Sequence, residues 1–349
     1  MFLLLQWIST EVKQGKHYLN FTTTNYYKIG DSKELLKEVN SNSVDLIYID
    51  PPYCTGRDFY HFDDRFKSSS DYRELLIRPL ILECHRVLSD VGNLVVHVEP
   101  KVSHHIRIVL DDVFGETRFK NEIVWISGGN HKSKKQLQRN HDTIIVYQKG
   151  KESIYNPEHR EYDAETVRKA KICPYRKKKY NTSALVNRQP NVVSRPNLRY
   201  EWNGNHLQWH VSRERMEMLH NDNRLEYSPN TGIPRVKKYL DEMDGIPIKD
   251  VWTDIKQIQG IEKLDYATQK PVALLNRIVN MFSNEESTVL DPCAGSGTVG
   301  RSAILTGRNY ILFDLNEDGK ALFNKSLVGL VPLHKESQPM LNPLENLLY

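Results

Sequence analysis

The chain has 349 residues, 39% hydrophobic and 26% charged with a net charge of +4, enough to bury one large core and carry an insertion. Its four cysteines, Cys54, Cys84, Cys173 and Cys293, are scattered with no CxxC pair, which argues against a zinc site or disulfide framework and fits a reducing cytoplasm. No stretch approaches the roughly 20 apolar residues of a membrane span, and residues 1–5 are too short for a signal-peptide core, so a cytoplasmic protein is expected.

Residues 26–31 (Tyr-Tyr-Lys-Ile-Gly-Asp) read as a short strand, followed by a helical stretch at 34–39. Residues 44–50, Val-Asp-Leu-Ile-Tyr-Ile-Asp, form a β-rich apolar run typical of a buried parallel strand. The spacing of Leu75, Leu76, Leu80, Leu82 and Val87 predicts a helix over 71–88 that Gly92 ends before a strand at 93–98. Further strands are expected at 122–126 and 143–147. This alternation predicts a doubly wound, mostly parallel α/β sheet. The rhythm stops near Lys149. Residues 150–250 are polar and interrupted by Pro157, Pro174, Pro190, Pro196, Pro229 and Pro234, which reads as a folded insertion with irregular loops. Periodicity returns at Pro271, placed as a first helical residue, with Leu274, Leu275, Ile278, Val279 and Phe282 on one face. A strand at 289–291, a helix at 298–305 stopped by Gly307 and a strand at 310–314 complete the pattern. The expected division is 1–149 and 251–330 for one catalytic domain, 150–250 for the insertion and 331–349 for a tail.

Asp291-Pro292-Cys293-Ala294-Gly295-Ser296-Gly297-Thr298 joins a predicted strand to a predicted helix. Gly295 and Gly297 let the backbone turn sharply and approach a ligand. With Gly300 they satisfy GxGxxG, a weak signal by itself. Asp314, 17 residues after Gly297, ends the next strand where it can accept from ribose hydroxyls. A nicotinamide enzyme would follow with a second mononucleotide half, yet 35 residues remain. Asp291 suits an ammonium group better than a pyrophosphate. S-adenosylmethionine has both a ribose and an α-ammonium, and Asp31 would offer a further carboxylate to an adenine amino group at the same sheet edge.

Asp50-Pro51-Pro52-Tyr53 closes an apolar strand, at the edge where α/β proteins bind ligands. The prolines lack N–H donors and fix φ, so a carbonyl acceptor is held out rigidly. Asp50 can accept from an amino group and Tyr53 can stack on a ring. A base amino nitrogen is a poor nucleophile because its lone pair is delocalised. Two acceptors, the Asp50 carboxylate and the Pro51 carbonyl, would favour the tetrahedral nitrogen that attacks a sulfonium methyl in line.

In their order these motifs resemble the β-class of amino DNA methyltransferases, prokaryotic enzymes whose target-base motif precedes the cofactor loop. Gly30-Asp31 is followed by Asp50 to Tyr53, a basic insertion, Thr268-Gln269-Lys270-Pro271, the glycine loop and Asp314, over roughly residues 26–325. The resemblance implies a circularly permuted Rossmann-like sheet and S-adenosylmethionine as cofactor. Asp50, Pro51, Pro52 and Tyr53 would be catalytic on a flipped-out base. Asp31, Asp291, Ala294, Gly295, Gly297, Thr298 and Asp314 would line the cofactor pocket, with Thr268, Gln269 and Lys270 near its methionine end. Cys293 stands where Phe is commoner and Asp314 where Glu is. The stretch from Cys54 to Phe59 is similar to a loop in modification subunits of restriction systems, with Phe59, Tyr60 and Phe62 available to enclose a base.

Charge supports a nucleic-acid partner. Residues 131–240 hold 23 Lys/Arg against 11 Asp/Glu, while the remainder holds 25 against 33. Flipping a base out of duplex DNA costs a few kcal/mol, which phosphate contacts must offset. Lys169, Lys171, Arg176, Lys177, Lys178 and Lys179 form the densest cluster; Arg188, Arg195 and Arg199 lie among Asn and Pro residues and could meet base edges, and Lys132, Lys134 and Lys135 could add backbone contacts. Adenine N6 is the expected target, because the cytosine-N4 subgroup more often has Ser in place of Asp50. Cytosine N4, an RNA adenine and a catalytically idle DNA-binding subunit stay as alternatives, as do a homodimer and a restriction subunit as protein partners. No metal is expected.

Overall fold

The computed structural model describes residues 25–53, 58–59, 62–63, 66, 68–128, 137–187, 196–266 and 268–328. Lys132, Lys134, Lys135, Arg188, Arg195, the stretch 54–57 with Tyr60, and the tail 331–349 lie outside them. The chain divides into two compact units, residues 1–156 with 250–349, and residues 157–249.

The first unit is built on an eight-stranded sheet. Its strands are β1 (Tyr26–Ile29), β2 (Val44–Ile49), β3 (Leu88–Val98), β4 (Phe119–Trp125), β5 (Asp142–Gln148), β6 (Val251–Trp252), β7 (Thr288–Asp291) and β8 (Asn309–Asp314), in the order β1-β8-β7-β2-β3-β5-β4-β6. Pairing is parallel except where β5 runs against β3 and β4. Ile29 stands opposite Asp314, Leu290 opposite Ile47, and Ile49 opposite Val96. The chain thus reaches β7 and β2 from opposite ends of its sequence. Their carboxyl ends meet at the sheet's centre, where such folds form a crevice. β2 is buried on both faces, as its unbroken apolar run requires.

Helices cover the sheet: α1 (Ser32–Leu35), α2 (Arg78–Val87), α3 (Pro100–Phe114), α4 (Val272–Phe282), α5 (Thr298–Leu305) and α6 (Glu317–Ser326). In α4, Leu274, Leu275, Ile278, Val279 and Phe282 are buried as their spacing predicts. Pro271 stands one residue outside, with extended ψ as the N-cap.

Two expectations need correction. The helix expected over 71–88 is a composite, in which a six-residue π-helical stretch (Tyr72–Ile77) precedes α2. Leu76 and Leu80, four apart, turn toward the interior, while Leu75 and Leu82, seven apart on another face, are 65% and 51% exposed. Gly92 does not end that helix either. The helix stops at Val87, Leu88 is already extended, and Gly92 lies inside β3.

The second unit carries more regular structure than loops alone. Four short antiparallel strands run in the order Leu225–Tyr227, Pro234–Tyr239, Lys179–Ala184, Lys171–Ile172, beside a hairpin of Arg199–Trp202 with Asn205–Gln208. Helix Arg213–Asn221, capped by the Ser212 hydroxyl, packs Met216 and Leu219 against Leu185, Tyr200, Trp209 and Leu225. This unit therefore has its own apolar core.

Candidate active site

A cavity of about 490 Å³ opens at the carboxyl edge of the sheet, within the size range of small-ligand sites. The residues that follow β1, β2, β3, β7 and β8 all contribute: Asp31, Asp50, Glu99, Pro292 and Leu315. Parallel pairing brings these strand ends together across more than 280 residues of sequence.

The glycine loop forms one wall. Ala294 N–H donates to the Phe313 carbonyl at 2.8 Å and Gly297 N–H to the Ala294 carbonyl at 2.8 Å, closing the turn. Gly295 and Gly297 have φ of +51° and +72°. At Gly295 a Cβ would stand 2.9 Å from the Tyr266 ring, and at Gly297 2.4 Å from Phe323. Gly295 lines the cavity; Gly297 lies behind it, fitted against α6, so its need for glycine is one of packing. The Tyr27 hydroxyl donates to the Gly295 carbonyl at 2.7 Å and the Ser32 hydroxyl to the Pro292 carbonyl. Asp314 accepts from Gly295 N–H at 2.7 Å and Asn316 N–H at 2.8 Å, so it ties β8 to the loop as well as facing the cavity.

Asp291 is 2% exposed. Its carboxylate accepts from Cys293 N–H at 2.9 Å and has no ion pair among the described residues. Burial raises its pKa well above the usual carboxylate range, reinforced by the nearby charges of Asp50 and Asp314. Asp31 caps α1, accepting from Lys33 N–H at 2.9 Å, and lines the cavity from its rim.

The Asp50 corner forms the opposite wall with Pro51, Pro52 and Tyr53. The Tyr53 hydroxyl donates to Asp50 Oδ1, and the Lys270 ammonium donates to Asp50 Oδ2. Lys270 also reaches the Tyr53 hydroxyl at 3.1 Å. Thr268 and Gln269 line the cavity too, but Gln269 works mainly as a staple. Its amide oxygen accepts from Leu264 N–H at 2.6 Å and its amide nitrogen donates to the Glu262 carbonyl at 3.0 Å. Lys270, expected at the cofactor, thus points to Asp50 and Tyr53.

Of the residues singled out from sequence, Asp31, Asp50, Pro51, Pro52, Tyr53, Thr268, Gln269, Lys270, Asp291, Ala294, Gly295, Thr298 and Asp314 line this one cavity. Sequence reasoning misses Tyr48, Leu76, Glu99 and Tyr266 among the lining residues. Glu99, ion-paired with Arg139, was findable as the residue after a predicted strand. Tyr266, in an irregular segment, had no such signal.

The lining acids are Asp31, Asp50, Glu99, Asp291 and Asp314, against Lys33 and Lys270. This balance repels a pyrophosphate. It suits S-adenosylmethionine, which has a sulfonium and an α-ammonium against one carboxylate, and the unpaired buried Asp291 calls for a cation of that kind. Among the described residues no cluster of His, Cys, Asp and Glu could hold a metal ion.

A model of the DNA methylase family matches residues 44–325, and the chain belongs to that family. It is an S-adenosylmethionine-dependent DNA methyltransferase. The chain is 30% identical over 313 residues to the type II methyltransferase M.EcaI of Enterobacter cloacae, covering 84% of this chain and 67% of that one. It is 27% identical over 293 residues to the DNA adenine methyltransferase YhdJ of Escherichia coli, covering 83% and 78% respectively.

Among the described residues no helix is long and apolar enough to cross a membrane. In the second unit, Lys169 pairs with Glu165, Lys171 with Glu226, Arg176 with Asp222 and Glu242, and Lys178 with Asp241. The Lys179 ammonium donates to the Val167 carbonyl at 3.0 Å. The basic cluster read from sequence is therefore largely neutralised within its own unit.

Proposed function

We propose that this protein methylates N6 of an adenine flipped out of duplex DNA, at a specific sequence. One observation carries the reading: Asp50, Pro51, Pro52 and Tyr53 share a single cavity with Asp291, Gly295 and Asp314. S-adenosylmethionine, when bound, supplies an electrophilic sulfonium methyl. Asp314 would accept from its ribose hydroxyls, Asp31 from its adenine amino group, and Asp291 would balance its positive charge. On the base side, the Asp50 carboxylate and the Pro51 carbonyl accept from the two amino hydrogens. That draws the nitrogen lone pair out of conjugation and aims it along the methyl–sulfur axis. Pro51 and Pro52 have no N–H to compete for these acceptors. As the nitrogen–methyl bond would form, the methyl–sulfur bond would break to leave a neutral thioether, and the amino proton would pass to solvent. The Tyr53 ring stacks on the base.

Adenine is favoured by Asp50 at the head of the motif and by the similarity to a protein named a DNA adenine methyltransferase. The unit at residues 157–249 is the part that reads the target. Similarity to a type II methyltransferase supports a place in a restriction-modification system, in the cytoplasm of a prokaryote, with an endonuclease or a second copy of the chain as possible companions.

Sequencing modified bases in DNA from cells that express the protein tests this. N6-methyladenine at one recurrent short sequence is expected, absent from cells that express Asp50→Ala. N4-methylcytosine would overturn the choice of base, and no modified base at all would overturn the activity.

A further inference from the structure

Asp50, Tyr53 and Lys270 form one hydrogen-bonded cluster. One Asp50 oxygen accepts from the Tyr53 hydroxyl, the other from the Lys270 ammonium, and that ammonium lies 3.1 Å from the Tyr53 oxygen and 5.6 Å from the centre of its ring. The Lys270 and Asp50 side chains are only 13% and 14% exposed. Lys270 thus holds the carboxylate acceptor that a target base would use and lies beside the Tyr53 hydroxyl, at the edge of the ring. A base amino group and a lysine ammonium are both N–H donors, so they compete for the same oxygen.

We infer that Lys270 is a placeholder for the target amino group: it occupies Asp50 while the corner is without a base and must leave as the base enters. The inference rests on the base-methylation reading above. Removing one donor from a largely buried carboxylate costs about 1–3 kcal/mol, which favours a corner that keeps the Lys270 donor beside that of Tyr53 between catalytic cycles. Lysine suits the part. Its ammonium is a point charge on a flexible four-carbon stem, so it can withdraw without moving the backbone, and it has no planar fork to lock it onto the carboxylate. Exchange of one N–H donor for another also makes entry selective. A base edge that presents a carbonyl to Asp50 has nothing to offer in return for the displaced ammonium. Lys270 is in this sense a positioning residue for Asp50, distinct from a residue that grips the cofactor.

The test uses the full-length protein and a duplex in which 2-aminopurine replaces the target adenine at the sequence found by base sequencing. 2-Aminopurine has no amino group at the six position, so its fluorescence on leaving the stack reports whether the corner is open, not how well Asp50 grips. Lys270→Met should raise that fluorescence several-fold over wild type, with S-adenosylmethionine affinity within about twofold. Asp50→Asn, close to isosteric, can no longer hold the ammonium as an ion pair and should raise the fluorescence as well. This second variant keeps the test decisive if Lys270→Met folds poorly. Lys270→Arg, which still donates, should stay near wild type. Fluorescence at the wild-type level in Lys270→Met, or in Asp50→Asn where the first does not fold, overturns the inference. An S-adenosylmethionine affinity about tenfold weaker in Lys270→Met overturns it too, because the lysine would then serve the cofactor. Failure of wild type to produce N6-methyladenine would instead show that the functional reading is at fault.

Discussion

Burial pushes the Asp291 pKa up, and that has a thermodynamic consequence. With its pKa raised well above the ordinary carboxylate range, this group keeps a proton to higher pH than a free carboxyl does. A cationic ligand favours the ionised form. The bound state therefore carries fewer protons, and S-adenosylmethionine affinity should rise with pH until the empty form is itself ionised. Calorimetry in buffers of different ionisation heat should detect proton release on binding. Asp291→Asn should abolish that release and weaken binding by about 1.5–3 kcal/mol, the range for a hydrogen bond to a charged group; no proton release in wild type would remove the linkage. At the opposite wall, Asp50→Ala should fold and bind S-adenosylmethionine yet lose nearly all single-turnover methyl transfer into DNA, and transfer near the wild-type rate would exclude the mechanism. Tyr53→Ala should cost stacking of about 1–3 kcal/mol in base capture. Tyr53→Phe keeps the ring but removes the hydroxyl that donates to Asp50, so it should lie between the two. The sequence displays these residues because each sits at a strand end beside proline or glycine, where local chemistry marks it. Their mutual contacts were not legible: Lys270 and Asp50 are 220 residues apart and meet only through the sheet.

Strands β2, β3 and β5 share a buried polar chain beneath the same corner. The Tyr48 hydroxyl lies 2.8 Å from His97 Nδ1, and His97 Nε2 lies 3.4 Å from the Asp142 carboxylate. A neutral imidazole satisfies this arrangement, with Nδ1 accepting from Tyr48 and Nε2–H facing Asp142. His97 is fully buried, and burial lowers its pKa, with the Lys270 charge acting the same way against Asp142 and Asp50. The unfolded state therefore takes up a proton more readily than the folded one. Stability from this group is complete above the unfolded histidine value of about 6.5 and falls as pH drops below it, by at most about 1.4 kcal/mol per unit. Urea unfolding at pH 7.5 and 5.5 should show a loss in wild type that shrinks in His97→Phe; an equal loss in both would clear His97 of the effect. At this scale α4 was readable from periodicity, α5 from the glycine loop before it and Gly307 after it, and β2 from its apolar run. Helix α3 had an equally good signal, with Pro100 at its start, Val102, Ile106, Val109 and Leu110 on one face and Gly115 at its end, yet a reading tuned to alternating strands passes over it. The π-helical stretch was not readable, because a change of helical period at Tyr72 leaves no mark in residue type.

At the scale of the whole molecule, charge separates the chain more coarsely than it first suggests. The excess of 23 over 11 in residues 131–240 is a sum, and a sum does not reveal which cations already have partners. In the second unit, Lys171 and Lys178 are paired with Glu226 and Asp241, whereas Lys177 and Arg199 have no ion pair among the described residues. Surface pairs of this kind contribute little to stability, so evolution of the fold alone gives slight reason to keep them. Their effect on a polyanion is larger, since a phosphate must displace the acid before it gains the lysine. Lys177 is also distinctive in its backbone. It has φ of +57° at the tip of a turn closed by Lys177 N–H to the Cys173 carbonyl at 2.8 Å, a conformation asparagine tolerates well. Lys177→Asn therefore removes the charge with little strain. If residues 157–249 hold the DNA, Lys177→Asn and Arg199→Gln should each lower the slope of log affinity against log salt by about 0.9, the value for one lost phosphate contact on duplex DNA. Lys171→Gln and Lys178→Gln should change it by less, because their acids already screen them. None of the four should alter S-adenosylmethionine binding, since none lines the cavity. Fluorescence anisotropy on a labelled duplex across a salt series measures all four, and a slope unchanged by both Lys177→Asn and Arg199→Gln would take these two side chains out of the DNA interface.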